Sequence, residues 1–268
     1  MSQREGRLSA ILEEAAGVPT KRVMELLALG SVYVEGRRTH EDKHIEEGTY
    51  LRLHLKPKRY DLSKIDWSAC RVFEDEHMLV VDKPKGVPVH PMVDNVVENV
   101  ASQLSLRLKT PLYVTQRLDV VTSGLLVFAK TKEFQRTFNQ MLKDKLIYKR
   151  YAALLEKPVA FGEYAHYMLE SPRAPKTIAD RPGPEGTWME CVLRVLDGAD
   201  QRGHFLVHIE LVTGRTHQIR AQLAHLGSPL WGDRMYGSEG PEGELHLRAV
   251  ELRFTHPSTG ASQRFLLS

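Results

Sequence analysis

The sequence predicts an α+β protein in two parts, a small α/β module followed by a larger α+β domain. Three observations predict it. Two helical periodicities fall between residues 8 and 30, a short alternating ribbon follows them, and beyond a polar, basic stretch at 56–64 alternating strands are interleaved with one long amphipathic helix. At 268 residues with 42% hydrophobic content, the chain is long enough for a sizeable core plus a small satellite domain. The net charge of only +3 does not by itself indicate a nucleic-acid partner, so local clustering must carry that inference.

Cys70 and Cys191 lie in no Cys-x-x-Cys or Cys/His cluster, which argues against a zinc site or disulfide scaffold and for a reducing compartment. The first residues carry Arg4, Glu5 and Arg7 with no apolar signal core after them, and no run approaches the ~18 apolar residues of a membrane span. A soluble cytoplasmic protein with no membrane partner is expected.

In the small module, Leu8, Ile11, Leu12, Ala15 and Ala16 recur at helical spacing and Gly17 ends the run. A second helix is predicted from an N-cap at Thr20, with Val23, Leu26 and Leu27 buried and Gly30 as its stop. Val32 and Val34 then alternate up to a turn at Glu35-Gly36, and Leu51, Leu53 and Leu55 alternate with Tyr50, Arg52 and His54. His40 and His44 lack a third ligand and read as decoration of a polar loop. The stretch at 56–64 reads as a linker, placing the boundary near residue 60, with domains at 1–60 and 61–268.

The large domain opens with a strand at Met78–Val81 and a turn carrying Lys83, Pro84, Lys85 and Gly86, which reads either as a plain turn or as two lysines at a strand end that meet phosphate. If residues 113–118 are extended, Arg117 and Asp119 share a face and pair, and Leu118 points into the core. A turn is predicted at Thr122-Ser123-Gly124, followed by a fully buried strand over Leu125–Ala129. Residues 131–145 place Phe134, Phe138, Met141 and Leu142 at helical spacing. Lys130, Lys132, Arg136, Lys143, Lys145, Lys149 and Arg150 outnumber Glu133 and Asp144 there, the local basicity that nucleic acid requires. A solvated helix face is the plain alternative. On the next strand Tyr151, Ala153 and Leu155 share one face, with Tyr151 either a core tyrosine or a ring offered to a base. A further strand at 204–212 leads through a turn at Thr213-Gly214-Arg215 into a helix predicted from near Thr216 to Gly227, on which His217 and Arg220 are neighbours near the positive end.

The small module, through Arg7-Leu8, Arg22, Leu26-Leu27, Gly30, Val32-x-Val34-x-Gly36 and Gly48, resembles the alpha-L module that a small-subunit ribosomal protein shares with RNA-modifying enzymes. That resemblance implies that Lys21 and Arg22 face RNA. The segments KPKGVPVHP, RLDVVTSGLLVFAK, YKRYAAL and TGRTHQIRAQLAHLGSPLWGD, in this order, resemble the RluA-type RNA pseudouridine synthases, and LHLRAVELRFTHPSTG resembles that family's closing strands.

What this second resemblance implies is specific. The fold is a mixed, mostly antiparallel sheet with a central cleft. The reaction isomerises uridine to pseudouridine in a flipped-out base of ribosomal RNA or, as an alternative, transfer RNA. Asp119 is the catalytic carboxylate, acting by nucleophilic attack or by proton abstraction. Arg220 is its partner in a bidentate contact, and Tyr151 lines the pocket. Arg117, Thr122, Lys83, Arg215 and His217 are the RNA contacts of this domain. No metal or organic cofactor is implied, and the family precedent is a monomer. One departure stands out: Gln116 occupies a position where many members carry histidine, and the expectation is an effect on substrate or packing rather than on chemistry.

Overall fold

The computed structural model describes every residue other than 3, 202, 242, 244 and 268. Contacts divide the chain into two units, Met1–Trp67 with Val87–Leu112, and Ser68–Gly86 with Tyr113–Ser268. A single cut near residue 60 does not reproduce this division, because residues 87–112 return to the first unit through long-range bonds. The Tyr33 hydroxyl donates to the Val93 carbonyl at 2.7 Å, and Arg59 donates to both Glu98 oxygens at 2.9 and 3.1 Å.

In the first unit, strand β1 (Gly6–Arg7) leads directly into α1 (Leu8–Ala16), and α2 (Thr20–Leu29) follows. The N-cap of α2 is Pro19, not Thr20: the Thr20 hydroxyl lies inside the helix and donates to Glu13 Oε2 of α1 at 2.7 Å. Both helices end at the predicted glycines, Gly17 and Gly30. Strands β2 (Val32–Val34) and β3 (Arg37–Thr39) form a hairpin whose two-residue turn has positive φ at Glu35 and Gly36, the geometry that matches strand twist. The two-residue β4 (His44–Ile45), which contains His44, pairs with β1, and β5 (Leu51–Leu53) pairs with β2. Leu8, Ile11, Leu12, Val23, Leu26, Leu27, Val32 and Ile45 close one apolar cluster. Burying each leucine in it stabilises the unit by ~1.5–3 kcal/mol before entropy is counted. Helix α3 (Val100–Leu108) completes the unit, capped by the Asn99 side chain, which accepts from the Ser102 N–H.

The second unit is built on one sheet: β6 (Arg71–Glu74), β7 (Met78–Lys83), β8 (Tyr113–Val114), β9 (Ser123–Ala129), β10 (Tyr148–Leu155), β11 (Gly162–Leu169), β12 (Ile178–Ala179), β13 (Trp188–Gln201), β14 (His204–Leu211), β15 (Leu247–Thr255) and β16 (Ser262–Leu266). Among the described residues these strands run in the order β12-β11-β13-β14-β10-β15-β9-β7-β6, with β16 on β15 and β8 on β9. The pairings are antiparallel except that of β9 with β15. Helix α4 (Lys132–Lys143) is capped by Thr131, and its buried stripe is Phe134 and Phe138. Helix α5 (Gln218–His225) follows β14. As the alternation predicted, β10 puts Tyr151, Ala153 and Leu155 on one face, and the structure adds a buried Lys149 to it. Leu125 to Ala129 are wholly buried, so β9 has both faces covered.

Parallel pairing between β9 and β15 requires a glycine. At Gly124, where φ is 107°, a Cβ would lie 2.2 Å from the Ala249 carbonyl oxygen. No side chain fits there, and this contact is where the chain leaves the turn that carries Asp119.

Candidate active site

Asp119 opens a turn that is closed when the Thr122 N–H donates to the Asp119 carbonyl at 3.0 Å. The extended segment stops at Val114, so the chain turns at Asp119 rather than at Thr122-Ser123-Gly124. Leu118 does point into the core. The predicted Arg117–Asp119 pair does not form, because two-residue alternation does not reach Asp119. Exposed Arg117 instead donates to the Thr216 hydroxyl at 3.1 Å.

Beneath the turn lies Lys83, the last residue of β7, with no exposed surface. Its ammonium donates to the Pro84 carbonyl at 2.8 Å and to the Val120 carbonyl at 3.4 Å, and the Gly86 N–H reaches the same Val120 oxygen at 2.7 Å. Lys83 is therefore not a surface contact for RNA phosphate, since its charge is spent inside the domain holding the Asp119 turn. Burial pushes this ammonium down to about 7, against the pull of Asp119. Thr122 is likewise buried, at 2% exposure, and belongs to the support of the turn rather than to a surface.

The second contribution comes from the loop between β14 and α5. Gln218 organises it: its Oε1 accepts from the Thr213 hydroxyl at 2.9 Å and the Arg215 N–H at 3.0 Å, and its Nε2 donates to the Val192 carbonyl at 3.1 Å. The loop keeps His217 in the left-handed region at φ 59°, so α5 begins at Gln218 rather than near Thr216. This brings two side chains onto Asp119, whose Oδ2 lies 3.5 Å from Arg220 Nη1 and 3.8 Å from His217 Nε2.

Arg220 is held mainly by another residue. Its Nε and Nη2 donate to Asp233 Oδ2 and Oδ1 at 2.7 and 2.8 Å, a bidentate pair buried on both sides. The expected fork onto Asp119 is thus made to Asp233, and Asp119 receives the remaining nitrogen. Burial opposes the Arg220 charge, and the Asp233 hydrogen bonds together with the charges of Asp233 and Asp119 outweigh it, holding the guanidinium above its ordinary value. Tyr236 packs its ring under Arg220, with 5.1 Å from the guanidinium carbon to the ring centre. The Tyr236 oxygen accepts from the Lys176 N–H at 2.9 Å and lies 3.1 Å from His217 Nδ1, which turns His217 Nε2 towards Asp119. Burial pulls His217 below its usual range and Asp119 pulls the other way.

Tyr151 comes from the middle of β10 and is 6% exposed, and its phenol makes no hydrogen bond among the described residues. Burial, with the Asp119 charge adding to it, drives its ionisation well above the ordinary range, so the ring is a neutral phenol. Arg215 is exposed, as are Lys21 and its surroundings in the first unit, where half-buried Arg22 pairs with Glu25 at 2.8 Å. The arrangement therefore joins a fixed carboxylate, a buried guanidinium, an imidazole and an unbonded phenol. Together they can hold an anionic group rigidly against an apolar, flat ring. Asp233 and Tyr236 escaped the sequence reading. The available signal was that a buried arginine at 220 requires more than one carboxylate oxygen.

Among the described residues one cluster has metal-ligand chemistry, His166, Asp180 and His225. The residues present do not fit an ion. Gln222 Nε2 also donates to the Cys191 carbonyl at 3.2 Å, which fixes its amide, so His166 Nδ1 accepts from it at 2.9 Å and neutral His166 keeps its proton on Nε2, the atom a metal would need.

Residues 77–225 match the family model described as RNA pseudouridylate synthase. The chain is 38% identical over 224 residues to RNA pseudouridine synthase 6, chloroplastic, from Arabidopsis thaliana, covering 75% of this chain and 47% of the plant protein. It thus spans about half the length of that relative. It is 32% identical over 286 aligned positions to the ribosomal large subunit pseudouridine synthase C of Escherichia coli O6:H1, covering 92% of this chain and 84% of the bacterial one. Among solved structures, the human RNA pseudouridylate synthase domain containing 4 superposes with a TM-score of 0.62 at 20% identity, over 75% of this chain and 89% of the human one, a likeness of fold.

Proposed function

The chain belongs to the RNA pseudouridylate synthase family, of RluA type, and from that premise we propose that it isomerises uridine to pseudouridine at defined positions of a structured RNA. Ribosomal RNA is the first substrate to test and transfer RNA the second. The observation that carries the reading is the placement of Asp119 against Arg220, with Tyr151 close enough to feel its charge. In the reaction the bond from the ribose C1′ to uracil N1 breaks and a C1′–C5 bond forms. The proton displaced from C5 is balanced by one gained at N1. Asp119 starts the sequence by adding to the sugar or by taking a sugar proton. Arg220, 3.5 Å away, orients the carboxylate, and Tyr151 is the flat surface on which the detached uracil turns. Exposed Arg117 and Arg215 stand where an RNA backbone is displaced by base flipping, whose unstacking cost of a few kcal/mol such contacts offset.

In the same reading the first unit is an alpha-L-type RNA-binding module that uses Lys21 and Arg22, and the protein acts as a cytoplasmic monomer. Two short helices ahead of a small ribbon support the module assignment, and the molar mass in solution tests the monomer. The central experiment maps pseudouridine in ribosomal and transfer RNA transcripts incubated with wild type and with Asp119→Asn. The expected outcome is new pseudouridine with wild type and a loss of ~1,000-fold or more in rate with the variant, at nearly unchanged RNA affinity. RNA binding without any modification of naked transcripts or precursor ribosomal particles would leave a binding protein instead.

A further inference from the structure

We propose that Lys149 is the residue that receives a backbone phosphate beside the target nucleotide, at an anion site formed by its ammonium, the Gly214 amide and Arg215. The inference rests on the RNA reading above and adds a specific site to it. It starts from how β10 divides its charges. The pleat sends Arg150 to one face, where its Nε lies 3.2 Å from Glu251 Oε2, and Lys149 to the other, the face that carries Tyr151 two residues on.

The two lysines buried in this unit differ in what surrounds the ammonium. Lys83 is saturated with carbonyl oxygens, whereas the Lys149 side chain, 6% exposed, makes no hydrogen bond or ion pair among the described residues. A buried ammonium without a counter-charge costs the folded protein stability and calls for a ligand that supplies the charge. Burial alone depresses this group to about 8, with no opposing carboxylate.

The space over the ammonium is open. Its Nζ lies 3.5 Å from the point where a side chain on Gly214 would begin, and Gly214 is itself exposed. The residue above the charge is thus the one residue type that leaves room for a ligand. Neither the Gly214 N–H nor the Arg215 guanidinium has a partner among the described residues, and both belong to the loop whose Gly214 lies over the ammonium. Gln218, which fixes the Arg215 N–H and the Thr213 hydroxyl, holds this loop rigid in front of them. A phosphate has the charge and the several acceptor oxygens that such donors take. Lys149 lies two residues from Tyr151 on the same face of β10, which places the anion site beside the pocket that Tyr151 lines.

The test uses the full chain in an Asp119→Asn background and bacterial large-subunit ribosomal RNA transcript as the probe. Lys149→Met is expected to weaken RNA binding ~10-fold and to reduce the slope of log affinity against log salt by ~0.7–0.9. The same variant is expected to melt higher than its parent, since an unpaired buried charge has been removed, whereas a lysine with a structural role would melt lower. Gly214→Asp, which sets a carboxylate over the ammonium, is expected to reproduce the loss of affinity and slope without touching Lys149. Unchanged affinity, or weaker binding at an unchanged salt slope, overturns the proposal. Failure of the parent protein to bind the transcript overturns it together with the RNA reading. If the slope changes as expected while wild type forms no pseudouridine, the isomerase reading falls and the phosphate site stands.

Discussion

The two units bury different chemistry. Around α1 and α2 the covered side chains are apolar, and the buried polar residues of the first unit, Ser2, Ser9, Ser31, Thr39, Asn95 and Asn99, carry no charge. In the second unit Lys83, Lys149, Arg220, Asp233 and Glu251 are all buried. A core of the first kind gains stability from every residue it covers. A core of the second kind spends desolvation free energy on charges, and those charges lie around Asp119, on the strand that carries Tyr151 or on its neighbour β15. The difference teaches where function resides: the first unit is organised to be stable, and the second gives up part of its stability to hold ions in fixed positions.

Three substitutions sharpen this contrast. The largest effect is expected at Asp233→Ala, which leaves the Arg220 guanidinium buried without its bidentate partner. Breaking such a pair costs ~3–5 kcal/mol, read from denaturant unfolding, and activity should be lost even where the variant remains folded. A mild effect, under ~1 kcal/mol, would mean that Arg220 relaxes freely and that the charged core is less costly than its geometry implies. Next comes Gly124→Ala. The added methyl meets the Ala249 carbonyl at 2.2 Å in a backbone conformation that side chains rarely adopt, for a cost of ~3 kcal/mol. The turn shift should lower kcat more than it raises KM, and a variant as active as wild type would separate the β9–β15 contact from the position of Asp119.

The smallest effect is a pH dependence at Lys83. The unfolded lysine holds its proton to about pH 10, whereas the buried one releases it near 7. Between those values the unfolded chain binds more protons, so this group makes stability rise with pH, by up to ~1.4 kcal/mol per unit, and contributes no slope below 7. Comparing wild type with Lys83→Met from pH 6 to 8 isolates the contribution, ~1.4 kcal/mol over that range. Parallel stability profiles for the two proteins would show that the ammonium keeps its charge, held by the Pro84 and Val120 carbonyls.

The same contrast explains what was legible in the sequence. Helical spacing found α1, α2 and α4, and alternation found β10 with its inward Tyr151, because apolar burial repeats with the period of the backbone. The residues gathered on Asp119 were legible only through the motif resemblance. Local reasoning alone paired it with Arg117, having assumed a strand that ends at Val114. Lys83 and Lys149 read as surface charges because lysine is almost always exposed, and nothing local announces burial. Asp233 is a lone acid in a loop, and its meaning lies in Arg220 on another element. The return of residues 87–112 to the first unit has no local signature either.

The parallel contact of β9 with β15 also fixes an order of events during synthesis. Gly124 rests on Ala249, roughly half the chain later, and loop closure over such a span must be completed before the reward of the contact arrives. Until residues 247–255 have left the ribosome, the strand that follows Asp119 lacks this neighbour, and its aspartate sits in an unfinished sheet. The turn that carries Asp119 therefore gains its last neighbour only when nearly all of the chain is available.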